Sequence, residues 1–333
     1  MSQIDLFRNV IARHALVDGT FECALPGVKL IRYSAPTMPM PVIYEPTVCF
    51  VAQGRKRASL GTSVFYYDPA SYLVASVGLP VVGTVVEATS EHPYLCLQLD
   101  LNSPELTELA LKHPRQGGGA VPAGLSLNEM TSGLLDAVIR LVTLLDTPDD
   151  LEALGPLAVR EVFYRLLSGP SGDVIYAITQ SDSRHGQIAR TILWIRAHFK
   201  EVFRIDDIAK IAGMSRSTFH DHFKAITAMS PLEFRNQLRM QEARRLMVSD
   251  GLDAASAGYQ VGYDSPSQFS RDYPHANVGE MFGILGQRLL SFEMQPTPRG
   301  SKVIFSFANN QSVLIEDADD CSSFRVGDSE VVR

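Results

Sequence analysis

Six side chains between positions 216 and 224 have the chemistry to read a nucleic acid: Arg216, Ser217, Thr218, His220, Asp221 and Lys224. They offer charged donors, hydroxyls and a carboxylate, the groups that meet base edges and phosphates in a DNA groove. Phe219 and Phe223, four apart in the same stretch, fall on one helical face and can anchor it. A second set follows. Ser267, Gln268 and Arg271 are polar, while Phe269 and Tyr273 form an inward pair. The spacing predicts two recognition helices, each with an apolar stripe that holds it and a polar face that reads.

Each set needs a frame. Ile205 to Ala212 reads as a short helix with Ile208, Ala209 and Ala212 inward. Gly213 suits the left-handed turn after it, and Ser215 sits where an N-cap belongs. Gly262, Ser265 and Pro266 repeat the plan, with Pro266 at a first helical position, where its missing N–H costs nothing. Ser215 and Ser265 are 50 positions apart, and each has a Phe four residues later, so the pattern is an internal repeat. Between the two units, Pro231 to Asp250 predicts one long helix with Phe234, Leu238, Ala243, Leu246 and Met247 apolar and Arg235, Arg239, Arg244 and Arg245 covering the rest. Twenty helical residues span roughly 30 Å, close to the ~34 Å of one DNA turn. Arg239 joins the candidate DNA contacts on that basis.

The stretches Ala212-Gly-Met-Ser-Arg-Ser-Thr-Phe219, Met229-Ser-Pro-Leu-Glu-Phe234, Leu238-Arg-Met-Gln-Glu-Ala-Arg-Arg-Leu-Met247 and Val261-Gly-Tyr-Asp-Ser-Pro-Ser-Gln-Phe-Ser-Arg271 resemble the AraC/XylS family of bacterial transcription regulators. Upstream, Tyr44-Glu-Pro-Thr-Val-Cys-Phe-Val-Ala-Gln-Gly-Arg-Lys-Arg57 and Tyr67-Asp-Pro-Ala-Ser-Tyr-Leu-Val-Ala-Ser76 resemble the cupin-like N-terminal domain of one subgroup. The resemblance implies double-stranded DNA as partner, a small-molecule effector, and RNA polymerase and a second copy of the chain as further partners. In that family the first helix of each unit supports and the second enters the major groove.

The β-rich text from Val28 to Leu101 agrees. Strands are expected near Val28–Ser34, Val48–Gln53, Arg57–Leu60, Val64–Tyr67, Tyr72–Ser76, Val81–Glu87 and Tyr94–Leu99, a spacing that suits a small barrel or sandwich. Tyr44, Phe50, Tyr66 and Tyr72 are the candidate effector-pocket residues, with Arg55, Lys56 or Arg57 available for an anionic group. The same residues also make sense as core aromatics and a solvated basic hairpin. A metal-dependent cupin needs clustered imidazoles, and this region offers His92 alone, so no metal, cofactor or catalytic residue is expected. A metal-free cupin-like enzyme is the alternative, together with a ligand-binding protein whose altered C-terminus has lost DNA binding. Cys49 and Cys96 fall on strands and read as buried thiols.

Beyond the barrel, helices are expected at 2–17, 103–113, Leu125–Leu145, Leu151–Leu167 and Ile188–Phe199. Those at Leu125–Leu145 and Leu151–Leu167 either form a dimerising hairpin or pack on their own barrel. Charge divides unevenly: residues 184–273 carry 13 Lys/Arg against 10 Asp/Glu, whereas residues 1–183 carry 12 against 19. The only positive segment is thus the proposed DNA-binding one, with a modest, salt-sensitive attraction for phosphate. No apolar run is long enough for a membrane helix and the start has no signal-peptide pattern, which predicts a cytoplasmic protein without a membrane partner. After Tyr273 the family pattern stops. Pro274 should break the helix, and Lys302–Phe307 and Ser312–Ile315 read as two strands ahead of an acidic run. A changed reading frame and a real extension each account for this tail.

The expected fold is α+β: an N-terminal cupin-like β-barrel plus helices, then an all-α domain with two helix-turn-helix units. The expected organisation is a regulatory domain at 1–101, a helical connector at 102–183, a DNA-binding domain at 184–273 and an atypical tail at 274–333. The expected function is sequence-specific DNA binding under small-molecule control.

Overall fold

The computed structural model describes residues 2–114, 121–269, 271–272, 289–297, 300–307, 312–316 and 325–327. It divides into two compact units, 1–238 and 239–333.

The first unit opens with α1 (Gln3–His14), where Ser2 and Asp5 close a capping box and Phe7, Val10 and Ile11 are buried. Nine strands follow: β1 (Gly19–Glu22), β2 (Val28–Tyr33), β3 (Met40–Tyr44), β4 (Thr47–Gln53), β5 (Arg55–Leu60), β6 (Ser63–Tyr67), β7 (Ser71–Ala75), β8 (Leu79–Glu87) and β9 (Tyr94–Asp100). After α2 (Pro104–Lys112) comes a tenth strand, β10 (Leu125–Glu129), then α3 (Ser132–Thr143), α4 (Leu151–Ser168) and α5 (Gly172–Thr179). All strand pairs are antiparallel. They form a six-stranded sheet, β1-β2-β9-β4-β7-β10, and a four-stranded sheet, β3-β8-β5-β6.

Every expected strand is present. Sequence reading missed β1 and β3, and it placed a helix across Leu125–Glu129. Those residues instead pair with Ser71–Ala75 in β7, and the helix begins only after Thr131, whose side chain caps it. Two cores explain why β4, β7 and β9 look almost continuously apolar. Val48, Phe50, Tyr72, Val74, Leu97 and Leu99 face one core, shared with α1 to α5. Cys49, Val51, Leu73, Ala75 and Cys96 face the other, inside the barrel. Side chains alternate across a strand, so a sheet covered on both faces has no polar side to show.

The barrel core continues into α6 (Arg184–His198), α7 (Ile205–Ala212) and α8 (Arg216–Thr227). Ser76 links them: its amide donates to the Gly124 carbonyl at 2.8 Å, and its hydroxyl meets Nε2 of the buried His185 at 2.9 Å. Gly124 N–H donates to the carbonyl of Ile226 at 2.8 Å. A Cβ on Gly124 would come within 2.6 Å of that oxygen, so a side chain has no room here. Arg196 and Glu45 add a two-pronged ion pair at 2.5 and 2.9 Å. Burial pushes the His185 pKa down to about 4, so its ring is neutral at pH 7.

The long helix α9 (Pro231–Ser249) starts at a capping box: Ser230 N–H donates to the Glu233 carboxylate at 2.7 Å, and Glu233 N–H to the Ser230 hydroxyl at 3.3 Å. In the second unit, α10 (Ala254–Gln260) precedes helical residues 266–269 and 271–272. Further along, β11 (Leu289–Thr297), β12 (Gly300–Phe307), β13 (Ser312–Glu316) and β14 (Arg325–Gly327) form an antiparallel meander. The two expected tail strands are therefore the middle pair of four, whereas an isolated pair would be marginal. The expected break at Pro274 lies outside the described residues.

Candidate nucleic-acid interface and barrel cavity

The first helix-turn-helix follows its sequence closely. In α7, Ile208, Ala209 and Ala212 are buried. Gly213 takes φ +66°, the left-handed turn. The Ser215 hydroxyl accepts from Thr218 N–H at 3.3 Å, capping α8. Phe219 and Phe223 are fully buried and stand 5.4 Å apart, and Phe223 meets Phe234 edge-on at 5.5 Å. This anchorage leaves Arg216, Ser217, His220, Asp221 and Lys224 exposed and Thr218 half-buried. Arg216, Ser217, His220 and Asp221 share an open groove of about 710 Å³ with Ser230, Pro231 and Leu232. The Arg216 guanidinium is 3.8 Å from Asp206, with both groups exposed, and such a contact holds an arginine only loosely.

The second unit carries the same devices. Asp253 caps α10 by accepting from Ser256 N–H at 2.9 Å. Gly262 takes φ +92°. The Ser265 hydroxyl accepts from Gln268 N–H at 3.3 Å. Phe269 is buried against Tyr263, with centroids 5.4 Å apart. Ser267, Gln268 and Arg271 are exposed, as a reading face requires. Arg239 is not on such a face. It is 5% exposed, and its guanidinium lies 5.4 Å from the centre of the Tyr263 ring. Stacking on an aromatic makes it part of this unit's interior.

The four candidate pocket residues do not converge. Tyr44 faces the barrel interior, its hydroxyl 3.3 Å from that of Tyr67. Phe50 and Tyr72 point the other way, into the helix-covered core, where the Tyr72 hydroxyl donates to Ser171 at 3.0 Å. Tyr66 is 45% exposed and lies under Arg55. The physical reason is strand alternation: Cys49 and Val51 take the inward places on either side of Phe50.

The basic run splits for the same reason. Arg55 and Arg57 point outward, toward Glu87 at 3.6 Å and Thr84 at 3.5 Å respectively. Lys56, with Ala58 and Leu60, points in and is 7% exposed. Burial opposes its charge, but the Tyr44 hydroxyl and the Cys49 and Cys96 thiols favour it, and the balance holds its pKa above the ordinary lysine value. Cys49 and Cys96 are buried and unbridged, as expected of structural thiols. Lys56 and Tyr44 border a cavity of about 590 Å³, walled by Ile31, Tyr33, Met40, Val42 and Ile43. Sequence reading missed Ile43 as a pocket wall because a strand at β3 was not expected, and it missed Tyr33 although β2 was expected.

No cluster of His, Cys, Asp or Glu able to hold a metal occurs among the described residues. None of the described helices is long and apolar enough to cross a membrane.

A barrel fused to helix-turn-helix units with exposed polar faces is the build of a DNA-binding regulator, and known proteins agree. The N-terminal region of AraC-type transcriptional regulators matches residues 24–174, and a helix-turn-helix domain matches residues 208–276. The transcriptional activator RhaS of Enterobacter sp. (strain 638) is 25% identical over 224 residues, which cover 63% of this chain and 76% of that protein. RhaS of Salmonella schwarzengrund (strain CVM19633) gives the same identity and coverage. The structure of ToxT from Vibrio cholerae strain SCE256 with a bound unsaturated fatty acid has a TM-score of 0.47 at 14% identity, covering 78% of this chain and 95% of that one. The chain belongs to the AraC family of DNA-binding transcription regulators. The helix-turn-helix match spans both units, which leaves the reading of a lost DNA-binding function without support.

Proposed function

We propose that this regulator reads DNA through α8 and through the helix that begins at Pro266, and that a small molecule in the N-terminal barrel controls it. It acts in the cytoplasm and is not an enzyme. On this reading residues 1–101 sense, 102–183 connect, 184–273 bind DNA, and 274–333 are an appendage. Arg216, Ser217, His220 and Lys224 make the main base and phosphate contacts of the first unit. Ser267, Gln268 and Arg271 make those of the second. The observation that carries the proposal is the exposed polar face of α8, opposite the buried Phe219 and Phe223. Control through the barrel rests on the shared core: a ligand acts by favouring one arrangement over another, and α6 to α8 pack on the barrel that would hold it. RNA polymerase is the further partner at the promoter. A second copy of the chain is the partner for the exposed Leu154 and Leu157 of α4, and sedimentation of the free and DNA-bound protein tests that.

The decisive experiment is selection from a random DNA pool with the full chain, followed by titration across a salt series. The expected result is enrichment of a two-part site, with binding that weakens as salt rises. Arg216→Ala should cost about 1–3 kcal/mol and relax one position of the site. No enrichment, or a site that Arg216→Ala leaves unchanged in strength and sequence, would sink the assignment.

A further inference from the structure

Between residues 205 and 233 the first helix-turn-helix has four carboxylates, Asp206, Asp207, Asp221 and Glu233. Three of them have partners. Asp206 lies 3.9 Å from Arg204 and 3.8 Å from Arg216. Asp207 pairs with Lys210 at 3.1 Å. Glu233 accepts from the Ser230 amide at 2.7 Å, and this bond holds its carboxyl below the usual range, with the charges of Lys224 and His220 adding to the effect. Asp221 differs. It is exposed, and among the described residues no hydrogen bond or ion pair holds its carboxylate. Lys224, three residues on, is exposed as well and does not pair with it.

Its place gives that freedom a meaning. Asp221 borders the same groove as Arg216, Ser217 and His220, on the helix whose other face buries Phe219 and Phe223. A face that meets DNA meets phosphates, and an unpaired carboxylate there works against the attraction. In the major groove a carboxylate can accept only from the amino groups of cytosine and adenine. Adenine sets its N7 acceptor beside that amino group, and cytosine does not. A carboxylate therefore favours cytosine. It also repels O6 and N7 of guanine and O4 of thymine, so it selects by exclusion as well as by contact.

The internal repeat adds a second observation. Ser215 and Ser265 are 50 positions apart, so Asp221 corresponds to Arg271. Each stands six residues after a serine cap of the same length, 3.3 Å, and two residues after a buried phenylalanine, and each is exposed. The two side chains thus leave their helices at the same point with opposite charge. The base that suits an arginine is guanine, through O6 and N7.

Resting on the reading of both helices as DNA readers, we propose that Asp221 and Arg271 are a specificity-determining pair of opposite sense. Asp221 accepts from the N4 amino group of a cytosine in one half of the site. Arg271 donates to O6 and N7 of a guanine at the matching place in the other half. The two halves therefore differ, and the site has a direction.

Selection of the full chain on a random DNA pool, repeated with Asp221→Ala, Asp221→Asn and Arg271→Ala, tests this. Both positions are exposed, so the variants should melt with the natural protein. For the natural protein, cytosine at the Asp221 position should bind more tightly than thymine by roughly tenfold or more. Asp221→Ala should bring that ratio to about twofold or less and leave the other positions as they were. Asp221→Asn should turn the preference to adenine, whose amino group and N7 suit a side-chain amide. Arg271→Ala should relax a guanine in the other half alone. If Asp221→Ala tightens binding to every sequence alike and keeps the selected site, the carboxylate only repels phosphate and the proposal falls. It also falls if Asp221→Asn keeps cytosine, or if the Asp221 and Arg271 variants relax the same position. A natural protein that enriches no site overturns the regulator reading and this proposal together. An enriched site that the Asp221 variants leave unchanged overturns this proposal alone.

Discussion

The two helix-turn-helix units share a plan and differ in how they fill it. In the first, an isoleucine and two alanines of the supporting helix meet two phenylalanines of the recognition helix, and Phe234 closes the cluster. In the second, the supporting helix offers Ala257 and Gly258, and the bulk comes from Tyr263 and Phe269. Gly258 looks like a weak point in the sequence, since a larger apolar residue would bury more surface. The structure gives it a use. A Cβ at Gly258 would stand 2.9 Å from the Phe269 ring, so the glycine is the seat of that ring. Volume has moved from one helix to the other, and the fit is kept. Small residues on a supporting helix therefore say little about whether a unit is sound until the facing side chain is known.

Truncating the central aromatics gives the largest expected effect. Phe223→Ala should cost about 3–5 kcal/mol of stability in the full chain, measured by urea unfolding, because it empties a fully enclosed site. Phe269→Ala should fall at the low end of that range, since its neighbours Ala257 and Gly258 leave fewer contacts to lose. Equal losses at the two sites would end the idea that the units are packed differently.

The first unit has a support of its own in His185, held neutral against Ser76. Its folded pKa of about 4 lies below the ordinary 6.5. Between those values the unfolded chain binds the extra proton. Stability from this group is therefore complete above pH 6.5 and is lost as pH falls toward 4, at about 1.4 kcal/mol per pH unit inside that window. Thermal melts of the natural protein and His185→Gln across this range should diverge at high pH and converge at low pH. Parallel curves would mean that His185 does not carry the effect.

Gly258→Ala separates the units most directly. The added methyl should cost about 1–3 kcal/mol by overpacking, and hydrogen exchange should quicken in residues 254–269. Exchange in residues 205–227 should stay as it was. If the substitution stabilises the helix instead, as alanine does in an open helix, Phe269 is not seated as described.

Much of this was legible in the sequence, for identifiable reasons. Both turn glycines, both serine caps and all four anchoring aromatics of the two motifs stand in the order that the motif demands, and the described ones occupy the places expected. The strands of the barrel were legible because β-branched runs broken by turn residues have few other solutions. Which face of each strand looks inward was not. Phe50 and Cys49 are both buried, so no polar partner marks the register, and three of the four expected pocket residues lie outside the cavity. Leu125–Glu129 was hidden because Leu125 also fits the helical spacing of Met130 and Leu134, and only pairing with β7 decides. Arg239 was hidden by distance along the chain: the ring it stacks on is at Tyr263.

The smallest effect tests what the units share. Ser215 and Ser265 make the same cap at the same length, 3.3 Å to Thr218 N–H and to Gln268 N–H. Each hydroxyl satisfies one of the free amides at the start of its helix. Ser215→Ala and Ser265→Ala should each cost about 1 kcal/mol, and the double variant about the sum, because the caps share no partner. The comparison is sharpest in DNA binding. Each cap sits one turn or less from the side chains that read, so its loss frays the end of the helix that presents Arg216 or Ser267. The two single variants should therefore weaken binding at different halves of the selected site. If Ser265→Ala weakens neither half, the second helix does not read DNA, however well its fold is kept.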